Sequence, residues 1–225
     1  MLCPLCRFGS CSFFFRDNER EYFQCPVCHL VFVHPGYHVS ADEEKERYDL
    51  HRNDPGDQGY RDFLLQLFLP VRQCLKAGDR GLEFGSGPVP VLAAMFRDEG
   101  FDIKIFDPFY ADNSEALSGQ YDFITASEVV EHLRNPLDEL DRLYRLLKPG
   151  GILGIMTGMS KGLEEFGEWF YKNDKTHICF FSPRTFSWIA GKWGAEIVYA
   201  SGNVVILRKS GYGQIIPGNP SFCNS

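Results

Sequence analysis

Two features of this 225-residue sequence combine residue type and spacing in a way that can do chemistry: a set of paired cysteines and a glycine-bearing loop flanked by carboxylates. Cys3-Pro4-Leu5-Cys6 and Cys25-Pro26-Val27-Cys28 are C-x2-C pairs separated by 18 residues. That spacing brings four thiolates to one tetrahedral ion and predicts a structural zinc site. Because sulfur takes all four positions, the ion keeps no open site for catalysis. Cys11 and His29 stand near the pairs but are not needed to complete the set. Cys11, Cys74, Cys179 and Cys223 are scattered and read as buried or idle thiols. The start, MLCPLCRFGSC, lacks a basic segment followed by an apolar run, so the chain is expected in the cytoplasm, where thiols stay reduced. No stretch has the roughly 18 continuous apolar residues of a membrane-spanning helix.

The second feature begins with the strand-like GLEF, which runs into Gly85-Ser86-Gly87-Pro88 and then a helical segment. Such a loop lets a nucleotide-like ligand lie against backbone N–H groups and a helix start. Asp107 follows Gly87 by 20 positions, at the end of the apolar strand IKIF, where an acid accepts hydrogen bonds from both ribose hydroxyls. Glu83 decides between ligands. A carboxylate two residues before the first glycine sits poorly beside a pyrophosphate and suits a cation, and Pro90 replaces the third glycine of a dinucleotide loop. S-adenosylmethionine offers an ammonium and a sulfonium and has no phosphate, so it fits where a nicotinamide dinucleotide does not.

The elements around these residues alternate. From Arg80 onward short apolar strands (GLEF, DIKIFD, YDFITAS, ILGIMTG) are separated by helical runs, which predicts an α/β, doubly wound, mostly parallel Rossmann-like sheet. A helix over 136–147 places Leu137, Leu140, Leu143 and Leu147 on one core stripe, ended by Pro149-Gly150-Gly151. PRTFSWIAGKWG reads as a last helix, with AEIVYAS and NVVILRK as closing strands. Residues 1–36 are expected to form the zinc-ribbon module, too short for a core of its own, so that metal supplies the missing stability. Residues 37–77 form a helical bridge and lid, 78–209 the donor-binding domain, and 210–225 a mobile tail. A formal charge of −7 argues against affinity built mainly on neutralising phosphates.

LEFGSGPVPVLA, IFDPF, YDFITASEVVEHL and LYRLLKPGGILGIMTG follow, in order, the signature segments of class I S-adenosylmethionine-dependent methyltransferases, and over residues 78–208 the sequence resembles that family. The resemblance implies that Glu83, Gly85, Ser86 and Gly87 line the methionine end of the donor and that Asp107 holds its ribose. It implies that Pro108 and Phe109 lie at the adenine, and that Ser127, Glu128 and His132 follow the fourth strand at the pocket rim. Two departures stand out. Val89 occupies a place where the family often has another glycine. Asp107 and Tyr121 are only 14 positions apart, so the usual helix and third strand are expected to be shortened or absent. The cysteine segment resembles the zinc ribbons of certain ribosomal-RNA guanine methyltransferases.

Methyl transfer from a sulfonium is an in-line displacement that needs positioning and, for an acceptor carrying a proton, a base. Histidine titrates near neutrality, so His132, His177 and His51 are the candidate bases. Two segments are placed to cap the pocket: RYDLHRNDPGDQGY, with Tyr48, His51, Asn53 and Tyr60, and EWFYKNDKTHICFFSP, with Trp169, Tyr171, Asp174 and His177. The aromatic, acidic character favours a small-molecule acceptor. The alternatives are an RNA methyltransferase whose ribbon grips RNA, and a donor-binding interaction protein that has lost turnover.

Overall fold

The cysteine segment folds as a small antiparallel sheet in which β1 (Ser12–Arg16) and β2 (Glu21–Gln24) form a hairpin and β3 (Val31–Val33) pairs with β2. Each C-P-x-C pair closes a tight turn. Arg7 N donates to Cys3 O and His29 N to Cys25 O. Arg7 and His29, the residues after each pair, both take left-handed φ, 62° and 59°. The computed structural model describes residues 1–50, 54 and 56–211; His51, Asn53 and residues 212–225 of the expected tail lie outside that set.

Ser40 opens α1 (Ala41–Asp49) with a capping box, its hydroxyl accepting from Glu43 N while the Glu43 carboxylate accepts from Ser40 N. None of the α1 residues is buried, so this helix is held by tethers and not by a core face. The apolar face of α2 (Gln58–Gln73) is different: Leu64, Leu67, Phe68 and Val71 are buried. They lie against the main sheet so closely that a Cβ on Gly154 would meet Val71 Cγ2 at 2.6 Å.

The main sheet follows. β4 (Arg80–Phe84), α3 (Val91–Asp98), β5 (Asp102–Phe106), β6 (Tyr121–Ser127), α4 (Pro136–Leu146) and β7 (Leu147–Met156) make the parallel part, with β4 between β5 and β6 and β7 beyond β6. The chain then passes through α5 (Leu163–Glu168), β8 (Cys179–Phe180) and α6 (Pro183–Trp193), and ends in β9 (Glu196–Ser201) and β10 (Val204–Arg208). The six-stranded order is β5-β4-β6-β7-β10-β9, with β10 antiparallel to both neighbours. Crossovers leave β4 in opposite directions, and that switch point leaves a crevice beyond its carboxyl end. The connection from β5 to β6 contains only a 3-10 turn at Ser114–Ser118, without the usual helix and strand.

Two expectations need correction. Leu147 is not on the helix. α4 ends at Leu146, which is buried, while Leu147 opens β7 and Pro149-Gly150-Gly151 forms an irregularity inside that strand opposite β6. Leu137 is only half-buried. The cysteine sheet also does not stand alone. β8 pairs antiparallel with β3, Val31 opposite Phe180 and Phe32 opposite Cys179, so the small sheet runs β1-β2-β3-β8. Tyr22 of the ribbon packs edge-on to Phe166 of α5, with ring centroids 5.1 Å apart, and against Phe180 at 5.8 Å. Apolar burial shared with the main domain therefore contributes the core that a 36-residue segment lacks by itself. Buried Arg20 adds a polar clamp, donating to the carbonyls of Lys172, Lys175 and His177.

Candidate active site

A cavity of about 400 Å³ lies beyond the carboxyl ends of β4, β5 and β6. Glu83, Gly85, Ser86, Gly87, Asp107, Pro108, Phe109, Ser127 and Glu128 all line it, and so do His132 and His177. The candidate donor and base residues are thus brought to one place, with Tyr48, Tyr60 and Asp174 beside them; Trp169 and Tyr171 are not in the lining, and His51 and Asn53 lie outside the described residues.

The glycine loop is fixed from three sides. Gly85 has φ +75°, and a Cβ there would meet Val129 Cγ2 at 2.4 Å, so both backbone and packing require glycine. Gly85→Ala is expected to lower stability by roughly 1–3 kcal/mol through strain and overpacking, read as the fall in urea midpoint. Asp107 ties this loop to the one after β5: Oδ2 accepts from Gly87 N at 2.9 Å, and Oδ1 accepts from Phe109 N at 2.9 Å and Tyr110 N at 3.1 Å. A carboxylate offers about four lone-pair sites, which leaves capacity for a ribose.

Glu83 has a structural task that the sequence did not show. Its Oε2 accepts from Ala93 N at 2.8 Å, satisfying one of the open N–H groups in the first turn of α3, whose N-cap residue Pro90 makes no side-chain cap. Burial pushes the Glu83 carboxyl up to about 8. A carboxyl raised in the folded state stabilises the fold fully below its ordinary range and loses that contribution as pH rises through the folded value. Glu83→Gln, which keeps a carbonyl acceptor for Ala93 N, is therefore expected to melt like the parent near pH 5. At pH 9 it should be more stable by on the order of a few kcal/mol, as thermal scans across that range would show.

Beyond β6 the chain turns sharply. Glu128 takes a left-handed φ of +52°, unusual for a non-glycine residue, and a 3-10 turn at Val130–His132 follows. Glu131, fully buried, accepts from Thr157 Oγ1 at 2.9 Å, and the Tyr171 hydroxyl reaches both Glu131 Oε1 at 2.5 Å and Glu128 Oε2 at 3.1 Å. Burial raises both carboxyls above their ordinary range. His132 Nδ1 lies 3.1 Å from Thr176 O, and His177 Nδ1 lies 2.8 Å from Tyr171 O. A carbonyl only accepts, so both rings carry their proton on Nδ1 when neutral. Burial holds His177 below its ordinary value, which keeps that ring neutral at physiological pH. Glu131 and Thr157 were not singled out in the sequence; the spacing Glu128-x-x-Glu131-His132 was the available sign.

The roof is α1. Tyr48 sets its ring edge-on against Phe109 at 5.8 Å and His132 at 5.1 Å. Arg47 pairs with Asp174, Arg134 with Glu44, and the Tyr110 hydroxyl donates to Asp49. Tyr60 and Phe63 complete an aromatic wall. No lysine or arginine occurs among the described lining residues, whose charged side chains are the carboxylates of Glu44, Glu83, Asp107, Glu128 and Asp174 beside the two histidines.

The four paired cysteines converge outside this cavity. Cys3 and Cys28 Sγ are 3.4 Å apart and Cys6 and Cys25 Sγ 3.3 Å, and all four lie within 4.8 Å of one another. Four sulfurs at 2.3 Å from one tetrahedral ion sit about 3.8 Å apart, so an opening of a few tenths of an ångström fits zinc.

A methyltransferase domain model matches residues 48–200 of the sequence. The chain belongs to that family. The matched span holds every residue lining the cavity except Glu44 and leaves out the four paired cysteines. Among curated proteins, the chain is similar to the ubiquinone biosynthesis O-methyltransferase of Erwinia tasmaniensis, at 30% identity over 71 residues, 32% of this chain and 29% of that protein. The chain thus spans under a third of that relative's length. Among solved structures, it resembles the Burkholderia thailandensis 1,6-didemethyltoxoflavin-N1-methyltransferase, determined with S-adenosylhomocysteine and 1,6-didemethyltoxoflavin, with TM-score 0.51, 13% identity, and coverage of 88% and 99% of the two chains. A methyltransferase from Archaeoglobus fulgidus aligns with TM-score 0.50, 16% identity, and coverage of 76% and 100%. These likenesses establish the class I, Rossmann-like α/β fold. No helix among the described residues is long and apolar enough to cross a membrane.

Proposed function

We propose that this chain transfers the methyl group of S-adenosylmethionine to a small-molecule acceptor. The observation that carries the reading is the joining, in one cavity, of the glycine loop and Asp107 with His132 and His177. The donor's ribose lies on Asp107, its adenine near Pro108 and Phe109, and its methionine end along Glu83–Gly87, with Ser127 and Glu128 beside the sulfonium. The acceptor enters under α1, between the aromatic wall and the two histidines, which engage its reacting atom or the proton on it. The partial likeness to ubiquinone-biosynthesis O-methyltransferases supports a hydroxyl-bearing acceptor. Cys3, Cys6, Cys25 and Cys28 hold a structural zinc ion, and the ribbon acts on the reaction through Arg20, which holds the 172–177 loop and thereby His177.

Incubation with S-adenosylmethionine and a panel of neutral hydroxylated aromatics, amines and a structured RNA at low salt tests this reading. Acceptor-dependent S-adenosylhomocysteine formation with a small molecule is the expected result. Turnover on RNA alone would replace the small-molecule assignment. A folded protein with donor bound and no turnover on any acceptor class would favour the interaction-protein alternative.

A further inference from the structure

We propose that Glu131, His132 and His177 form a second metal site, which takes one divalent first-row transition ion at the acceptor end of the cavity. One ligand atom from each lies within 4.8 Å of the other two, the only such cluster among the described residues besides the four cysteines. Its make-up differs from theirs. A carboxylate and two imidazoles suit ions from Mn²⁺ to Zn²⁺, and three ligands leave positions open.

The surroundings are those of a prepared site. Both imidazoles are oriented by an Nδ1 hydrogen bond to a backbone carbonyl, Thr176 O and Tyr171 O, the arrangement of histidines that coordinate through Nε2. The Glu131 carboxylate is held by the hydroxyls of Thr157 and Tyr171, and its main chain by Ile178 N donating to Glu131 O at 2.9 Å. Ring centroids of His132 and His177 are 4.7 Å apart, and both residues line the cavity. No described lysine or arginine in the lining competes for buried Glu131 or half-buried Glu128, whereas an ion beside them offsets their charge.

The consequence for the acceptor rests on the methyltransferase reading. A hydroxyl of the acceptor fills an open position on the ion and loses its proton to water. Its oxygen then forms the bond to the methyl carbon while the carbon–sulfur bond breaks and the electron pair stays on sulfur. With the ion bound, the histidines engage the acceptor's reacting atom through it, and the proton leaves by way of water.

The probe is Mn²⁺, which does not displace zinc from thiolates, added to zinc-loaded protein saturated with S-adenosylhomocysteine and followed by loss of the free-ion electron paramagnetic resonance signal. One bound Mn²⁺ per chain is expected, weakened at least tenfold in His177→Ala and in Glu131→Gln with S-adenosylhomocysteine affinity kept. Nitrogen couplings from two imidazoles in the parent's pulsed spectrum give the same answer should either variant fail to fold. No Mn²⁺ or Co²⁺ binding by protein that binds S-adenosylhomocysteine would overturn the metal site and leave the methyltransferase reading intact. Binding that persists in both variants would also overturn it. Failure to bind S-adenosylhomocysteine at all would instead sink the donor assignment.

Discussion

Asp107→Ala should raise the dissociation constant for S-adenosylmethionine about 100-fold in calorimetric titration. The carboxylate has two tasks there. It accepts from Gly87, Phe109 and Tyr110 N–H groups, holding together the loops on which the donor lies, and in the proposed complex it accepts from the ribose. Hydrogen bonds to a charged group contribute about 1.5–3 kcal/mol each, so losing one ribose contact weakens binding by about one to two decades and losing both by about two or more. The freed N–H groups also lose their partner, and a fall in melting temperature accompanies the loss of affinity. Asp107→Asn, which keeps one carbonyl oxygen, should fall between the two. An alanine variant with parental affinity would mean that the donor lies elsewhere.

Removing zinc from the proposed four-cysteine site, by chelation or by Cys25→Ser, is expected to lower turnover more than tenfold although those thiols belong to a different sheet. The route is visible in the chain. β3 pairs with β8, and Arg20 holds the carbonyls of Lys172, Lys175 and His177, so the ribbon forms one wall of the loop that presents Asp174 and His177 to the cavity. Structural zinc sites supply folding free energy on the order of 10 kcal/mol in isolated fingers, and loss of the ion loosens this wall. Hydrogen exchange should accelerate at residues 172–180 and stay nearly unchanged in β4 and β6. Parental turnover by metal-free protein would show that the ribbon and the reaction are independent.

How much of this was legible before the structure differs by element. The parallel core was, because β4, β5 and β6 are apolar runs at regular spacing, and the 14-position interval from Asp107 to Tyr121 already excluded a full helix and strand. That the glycine loop and Asp107 would meet at one crevice was legible, because a loop and the acid after the next strand are fixed by local geometry. Glu131 was not, since burial of a carboxylate is set by Thr157 and Tyr171, which arrive from later in the chain. β8 has two residues and therefore no periodicity, and its pairing with β3 leaves no trace in either segment. Arg20 read as one charge in NEREYF; only the 172–177 loop above it makes it a clamp. Leu147 was misassigned because a leucine fits a helical stripe and the start of a buried strand equally well.

The shared sheet also orders events during synthesis. The cysteine pairs and β3 are translated before β8, which completes their sheet and begins 146 positions after Val33. At roughly 5–20 residues per second the wait is on the order of ten seconds. For that time the four thiols and the apolar face around Tyr22 stand on the nascent chain without Phe166, Phe180 or the carbonyls that Arg20 later holds. A zinc ion captured early by the proposed four-cysteine site would act as a placeholder for a core that has not yet been made. In cells short of zinc, these cysteine-bearing residues are the ones that oxidants and holding chaperones would meet.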